Sequence, residues 1–121
     1  IAALSVELMG FTPLTDLNFH QTLSDVTGTA LVLVGAAHCG ACKQLKTVLH
    51  RYQNTENALP IFEVDAVMNG GIIQALTIFH LPALFLYVDG HYHRQIQCEA
   101  TLPALQTAIQ QALMQAAEEE P

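Results

Sequence analysis

Two continuous apolar runs limit what this 121-residue chain can fold into more than any other feature of its sequence. They are Ala30–Val34, which reads ALVLV, and Ala83–Val88, which reads ALFLYV. Unbroken apolar runs of this length are typical of strands covered on both faces, as in the middle of an α/β sheet. A third strand is predicted at Ile61–Asp65. A fourth is predicted at Tyr92–Cys98, whose polar residues favour a place near the sheet edge.

The connection between the last two strands predicts their relative direction. Asp89 and Gly90 separate them, and an Asp-Gly pair between two strand segments is a strong hairpin signal. We therefore expect these two strands to be antiparallel neighbours in the sheet.

Helical spacing of apolar residues alternates with the strands. The helices predicted in this way are Asp16–Val26, Ile72–Phe79 and Leu102–Met114, together with one that runs from the Cys39 region to about Gln53. Asn69-Gly70-Gly71 is expected to cap the helix at Ile72, and Thr101 the last helix. Alternation followed by a hairpin predicts an α/β fold, with a central mixed sheet of four to five strands flanked by helices on both faces.

We expect residues 1–121 to form a single domain. Residues 1–14 would be an N-terminal extension or first strand, with a strand candidate at Val6–Met9, and residues 116–121 a flexible acidic tail. No apolar run approaches the roughly 20 residues that span a bilayer, so no membrane association is expected. We expect a monomer in the cytoplasm, or in the periplasm or outside the cell if a signal peptide has been removed.

Charge and cysteine content narrow the function. The net charge of −7, with only four Lys and Arg, argues against nucleic acid, because phosphate contacts need clustered cations. Three cysteines are too few for a disulfide scaffold. Two of them form the C-x-x-C motif Cys39-Gly40-Ala41-Cys42, which indicates redox or metal chemistry.

Helical spacing predicts different roles for the two thiols of the motif. Cys42 lies beside the apolar stripe that contains Leu45 and Leu49, whereas Cys39 aligns with polar residues such as Lys43. Cys39 would thus be the exposed, attacking thiol and Cys42 the more buried, resolving one. The helix N-terminus also favours an anion, and such positions lower a thiol pKa from about 8.5 to about 7 or below.

These residues resemble the thioredoxin family. The stretch LVLVGAAHCGACKQLKTVLHRY is similar to the family's active-site strand, C-x-x-C and following helix, and Leu81-Pro82 is similar to its cis-proline site facing the cysteines. The likeness extends from about Thr15 to Met114. It implies a thioredoxin fold, with Cys39 as the nucleophile and Cys42 as the resolving thiol.

The resemblance also implies a substrate site and partners. Pro82 would belong to the substrate groove, where Leu81 would offer its backbone to an extended substrate segment. The partners would be protein thiol or disulfide substrates and an upstream thiol reductant or oxidant. No cofactor and no metal is expected beyond the Cys39–Cys42 disulfide.

The chain departs from the family pattern at four positions. His38 stands where the family usually has Trp, and Ala41 where it has Pro. Leu33 and Ile61 correspond by spacing to the family's buried acid and its lysine neighbour. Without that acid, nothing obvious takes the proton of the resolving cysteine, which argues against fast, general thioredoxin activity and leaves a slower or more specialised reductase, or an oxidant, open.

Three further residues are candidate modulators of the pair. His38 would stabilise the adjacent thiolate as an imidazolium, or would simply be a solvated loop histidine. His80 would lie on the same rim as Leu81-Pro82. Cys98 would either influence the motif as a third thiol or be a small buried packing residue.

Two alternatives to the enzyme remain open at this point. The first is a metal- or iron–sulfur-binding module that uses Cys39, Cys42, Cys98 and a histidine, either His38 or His80. A single C-x-x-C without a second pair is a weak metal signature. The second is a non-catalytic interaction domain of the same fold, suggested by the missing acid.

Overall fold

Within residues 11–121, which the computed structural model describes, five strands form one sheet. In chain order the elements are β1 (Thr12–Leu14), α1 (Phe19–Ser24), β2 (Thr29–Gly35), α2 (Gly40–Gln53), β3 (Ile61–Asp65), α3 (Gly70–Ala75), β4 (Ala83–Val88), β5 (His91–Ile96) and α4 (Leu102–Met114). None of the helices in this part of the chain is both long and apolar enough to cross a bilayer.

The sheet is mixed, with the strand order β1-β3-β2-β4-β5. Strand β2 lies at its centre, parallel to β3 and antiparallel to β4. Strand β1 extends the parallel side and β5 the antiparallel side. The prediction of a mixed sheet flanked by helices is confirmed.

Alternate residues of β2 enter two separate apolar layers. Leu31 and Leu33 pack with residues of α2 and α4 on one face of the sheet. Val32 and Val34 pack with residues of α1 and α3 on the other face. Because helices cover both faces of the sheet, the side chains on either face of β2 are apolar. This explains the continuous apolar run.

Element bounds agree best with the sequence where the signal is local. Strands β3 and β4 and helix α4 have the predicted bounds, and Thr101 caps α4 by accepting a hydrogen bond from Ala104 N–H at 3.3 Å. Helix α1 is shorter than the predicted Asp16–Val26, and Leu17, which was counted among its apolar residues, lies before the helix and is 96% exposed. Strand β5 spans His91–Ile96 rather than Tyr92–Cys98. The strand candidate at Val6–Met9 lies outside the described residues.

The predicted hairpin between β4 and β5 is confirmed. Asp89 and Gly90 have φ values of +50° and +81°, as a tight two-residue turn requires. A side chain at Gly90 would place its Cβ 2.7 Å from the carbonyl oxygen of Leu23. Glycine therefore allows the hairpin to lie directly against the end of α1.

The start of helix α3 corrects one sequence prediction. The side chain of Asn69 does not cap the helix. Asp16 does so instead: its carboxylate accepts hydrogen bonds from the N–H groups of Gly71 at 3.0 Å and Ile72 at 2.8 Å. Asn69 accepts from Asp16 N–H at 2.9 Å and donates to the carbonyl of Asp65 at 2.9 Å. It therefore holds the capping residue in place. Helix α3 spans Gly70–Ala75, so the predicted range Ile72–Phe79 was wrong at both ends.

The chain leaves α3 through a residue with a strained backbone conformation, Thr77, which precedes the segment that leads to Pro82. Ile78 N–H donates to Ile73 O at 3.0 Å and Thr77 N–H to Gln74 O at 3.2 Å, the hydrogen bonds of a Schellman motif. The left-handed position of this motif is occupied by Thr77 with a φ of +52°. A β-branched residue is rarely found there, where glycine is usual.

The first residues of the C-terminal segment lie along the edge strand β5. Glu118 N–H donates to His93 O at 2.6 Å, and the Arg94 guanidinium donates to Ala116 O at 3.1 Å. Arg94 also pairs with the Glu118 carboxylate at 3.4 Å. The segment predicted as a tail therefore has specific contacts over residues 116–118.

We expect Thr77→Gly to stabilise the protein. A left-handed residue with a side chain costs about 1–2 kcal/mol, and the extra freedom of glycine in the unfolded chain returns roughly 0.5–1 kcal/mol of that. The free energy of unfolding, measured in urea, should rise by about 0.5–1 kcal/mol. The same substitution at Thr107, an exposed position inside α4, should lower it by roughly a few tenths of a kcal/mol. Equal effects at both positions would contradict the assignment of strain to Thr77.

Candidate active site

The two motif cysteines lie at the N-terminus of α2. Cys39 is the N-cap residue, and its sulfur accepts a hydrogen bond from Cys42 N–H at 3.1 Å. A side chain in this position faces the unpaired N–H groups and the positive end of the helix dipole. The local structure therefore favours negative charge on the Cys39 sulfur.

Cys39 and Cys42 form a disulfide, with a Cα–Cα distance of 5.1 Å. Cys39 is partly exposed, whereas Cys42 is only 5% exposed. This difference in burial agrees with the helical spacing of the sequence. It provides the asymmetry that a nucleophile and a resolving thiol need, although the roles themselves stay predictions.

Cys42 packs directly against the end of the central strand. A Cβ added to Gly35 would lie 3.3 Å from both the Cβ and the Sγ of Cys42. The absence of a side chain at Gly35 therefore lets the first turn of α2 approach β2 closely. This contact positions the buried sulfur relative to the sheet.

The Leu81–Pro82 peptide lies opposite the disulfide and is cis, as the family resemblance implied. The Sγ of Cys39 is 3.9 Å from the carbonyl oxygen of Leu81, within reach of a thiol donor in the reduced protein. The structure thus brings together Cys39, Cys42, Leu81 and Pro82, which the sequence analysis had placed in one site.

A groove of about 480 Å³ lies beside the motif, with Ala41 and Pro82 in its lining but neither of the two motif cysteines. Its lining includes Ala41, Pro82, His80 and Cys98, so two of the three candidate modulators share the groove with the motif. His38, the third, directly precedes Cys39 and has an exposed side chain. Phe79, which the sequence analysis missed, also lines the groove and is 82% exposed.

Cys98 is a free thiol on an exposed residue. Its interpretation as a buried packing residue is therefore wrong. Partial burial nevertheless desolvates the sulfur and raises the pKa of the Cys98 thiol above its usual value. Because the neutral form then dominates at neutral pH, Cys98 is suited to slow rather than fast thiol exchange.

A second cavity, of about 570 Å³, lies on the other side of the motif. Its lining includes Gly35, Ala36 and Ala37, whose small side chains leave the space open, and the buried Cys42. Lys46 and Glu63 also line it and form an ion pair at 2.6 Å. The sequence analysis did not single out Glu63, although a charged residue between the apolar residues Phe62 and Val64 was a visible signal.

Leu33 and Ile61, which the sequence analysis matched by spacing to the family's acid and lysine, are both buried apolar residues. Leu33 is 2% exposed and Ile61 is 3% exposed, and both belong to the layer beneath α2. Among residues 11–121, no three side chains of His, Cys, Asp or Glu converge in a way that could hold a metal ion.

Comparisons with known proteins agree with this architecture. The family model described as Thioredoxin matches residues 10–111. Human ERp44 in its zinc-bound form is similar in structure, with a TM-score of 0.71 and 23% identity over 84% of this chain and 31% of that chain. Human ERp44 forms I and II give the same TM-score at 24% identity, over 84% of this chain and 29% of theirs.

The similarity to ERp44 covers only part of those chains. The chain spans less than a third of the length of the ERp44 chains, and at such identities the likeness is one of fold. No curated protein matches the chain significantly. The predicted thioredoxin fold is confirmed.

We expect Gly35→Ala to destabilise the protein, because the added Cβ would lie only 3.3 Å from the Cβ and Sγ of Cys42. Overpacking costs about 1–3 kcal/mol, and the stiffer unfolded chain offsets roughly 0.4–1 kcal/mol of this. Gly40→Ala is the matched control, since a Cβ at Gly40 meets nothing within 4 Å. In urea unfolding, Gly35→Ala should lose about 1 kcal/mol and Gly40→Ala gain up to about 1 kcal/mol. Unchanged stability in Gly35→Ala would mean that Cys42 is not constrained by the strand.

Proposed function

This chain belongs to the thioredoxin family, and from that premise we propose that it is a thiol–disulfide oxidoreductase that exchanges disulfides with protein substrates. The observation that carries the proposal is the disulfide between Cys39 at the N-cap of α2 and the buried Cys42. One sulfur is accessible and electrostatically favoured as an anion, and the other is within bonding distance of it.

In the first step the reduced protein attacks a substrate disulfide. The Cys39 thiolate is stabilised by the N–H of Cys42 and by the helix N-terminus. Its sulfur forms a bond to one substrate sulfur, and the other substrate sulfur leaves as a thiolate. The product is a mixed disulfide between Cys39 and the substrate.

In the second step Cys42 resolves the mixed disulfide. Its thiol loses a proton to solvent and attacks the Cys39 sulfur, which releases the remaining substrate thiolate. The substrate gains two electrons and the Cys39–Cys42 pair is oxidised. An upstream thiol reductant returns the pair to the reduced state, or an oxidant drives the same steps in reverse.

The groove beside the motif is suited to an extended substrate segment. The Leu81 carbonyl lies next to the attacking sulfur, and Pro82 lies at the entrance to β4. Exposed Phe79 adds an apolar surface that a substrate side chain would cover. A monomeric state and a cytoplasmic location stay predictions.

The order of thiol chemistry is tested with serine variants in a Cys98→Ser background, which removes the exposed third thiol. Cys39→Ser should abolish fast alkylation by iodoacetamide and insulin reduction, because it removes the accessible nucleophile. Cys42→Ser should keep the fast thiol and accumulate mixed disulfides with substrates. Rates of alkylation at neutral pH and non-reducing electrophoresis provide the measurements. A faster reaction at Cys42 than at Cys39 would reverse the assigned roles.

We expect Phe79→Ala to weaken binding of protein substrates without affecting the thiol chemistry. Loss of one exposed aromatic contact should raise KM for insulin about fivefold, since roughly 1 kcal/mol separates contributing from silent interface residues. Reduction of a small aromatic disulfide, which does not fill the groove, should stay unchanged. Leu17→Ala is the control, because Leu17 is also exposed but lies outside the groove. An equal change in KM for both variants would count against the groove as the substrate site.

A further inference from the structure

The buried position of Cys42 creates a requirement that the proposed function leaves open. A thiol with an ordinary pKa of about 8.5 is mostly protonated at neutral pH, and only the thiolate attacks a disulfide. Cys42 is 5% exposed, so bulk solvent stabilises its thiolate poorly. The positions where the family carries an acid and a lysine are Leu33 and Ile61, which supply no charge.

The cavity beside Cys42 has charged side chains in its lining. Four charged side chains line it: Lys43 and Lys46 from α2, and Glu63 and Asp65 from β3. The residues from β2 in its lining, such as Leu33 and Gly35, are uncharged. Any electrostatic control of Cys42 from this cavity therefore comes from these four groups.

Helix geometry favours Lys46 among the two cations. Lys46 follows Cys42 by four residues, and such positions lie one turn apart on the same helix face, with Cβ atoms about 5–6 Å apart. Lys43 follows Cys42 directly, and adjacent residues do not face each other on a helix. Lys46 lines the cavity, and its ammonium also lies 5.7 Å from the centroid of the Phe11 ring, a cation–π contact that restrains the side chain.

Strand register favours Glu63 among the two anions. Glu63 is the neighbour of Leu33 across the parallel β2–β3 pair, and its carboxylate bonds the Lys46 ammonium at 2.6 Å. Asp65 is exposed and accepts a hydrogen bond from Val67 N–H at 3.0 Å, which ties it to the turn after β3. Glu63 is therefore the anion that pairs with Lys46 at this cavity.

We propose that the Lys46 ammonium stabilises the Cys42 thiolate as it attacks the mixed disulfide, and that Glu63 limits this effect by binding Lys46. The proposal rests on the proposed oxidoreductase function. In the step concerned, the Cys42 proton goes to solvent through the open cavity, the Cys42–Cys39 bond forms, and the bond from Cys39 to the substrate breaks. Lys46 and Glu63 keep their protons and change only the stability of the attacking thiolate.

Removing the charge of Lys46 and removing the charge of Glu63 should then change the rate of resolution in opposite directions. Lys46→Gln removes the favourable charge and should slow resolution, whereas Glu63→Gln releases the lysine and should accelerate it. For thiols in general, one pKa unit changes the thiolate fraction tenfold, but nucleophilicity moves the other way with a coefficient of about 0.4–0.5. We therefore expect a change of about threefold in each direction at neutral pH.

The experiment uses the reduced full chain in a Cys98→Ser background and a chromogenic aromatic disulfide. Attack by Cys39 releases one coloured thiolate, and resolution by Cys42 releases the second, so stopped-flow absorbance separates the steps. Rates are measured from about pH 6 to about pH 9, a range that spans ordinary thiol titration. The resolution profile should move to higher pH in Lys46→Gln and to lower pH in Glu63→Gln, with smaller changes in the first step.

Two controls separate electrostatics from structure. Lys46→Arg keeps the charge and should behave like the parent protein. Lys43→Gln removes the same charge from a residue that does not face Cys42, and should change resolution less than Lys46→Gln. Urea unfolding of each variant checks that the fold is intact.

Several results would overturn the proposal. If Lys46→Gln and Glu63→Gln both slow resolution, the ion pair has only a structural role or Glu63 assists deprotonation directly. If neither variant changes resolution, or if Lys43→Gln matches Lys46→Gln, Lys46 has no specific effect on Cys42. Failure of the proposed function is distinguishable, because the parent protein itself would then show no second release and no insulin reduction.

Discussion

Burial of β2 on both faces is the constraint on which the rest of the structure depends. The strand sits at the centre of the sheet, and its alternate residues enter two apolar layers, so a register shift would disturb both layers at once. Gly35 ends this fixed strand, and Cys42 packs against it. The rigid centre of the sheet thereby sets the position of the buried sulfur, and the helix start sets that of its partner Cys39.

The sequence predicts the fold best where a single segment contains its own signal. Bounds agree for Ala83–Val88 and Leu102–Met114, since strand burial and helical spacing are local properties. The cap of α3 could not be predicted in this way. Asp16 supplies it from 55 residues away in the chain, and only the packed structure brings the two together. Local capping rules selected Asn69, which instead holds the capping residue.

The same distinction applies to the site. The different burial of Cys39 and Cys42 follows from helical spacing, so the sequence was sufficient to predict it. The approach of Glu63 to the site depends on the β2–β3 register and on where α2 crosses the sheet. Neither is encoded within one segment, so the charge inside IFEVD could mark Glu63 as unusual but could not predict its partner Lys46. Phe79 is another example. It is exposed in the segment between α3 and β4, whereas the local sequence pattern predicted it as part of a helix.

Two different environments lie near the disulfide: the apolar layer beneath α2 and the cavity that contains the Lys46–Glu63 ion pair. Leu33 and Ile61 keep the layer beneath α2 apolar, so this protein avoids the desolvation that a buried acid–lysine pair carries. Lys46 and Glu63 pair instead at partial exposure, where desolvation is small but solvent also weakens their influence. In the proposed reaction, a substrate in the Pro82 groove would leave the cavity on the Cys42 side open. The proton of the resolving thiol would then have a path to solvent while the mixed disulfide is held, and the proposed control of resolution by Lys46 and Glu63 would not require a charge in the apolar core.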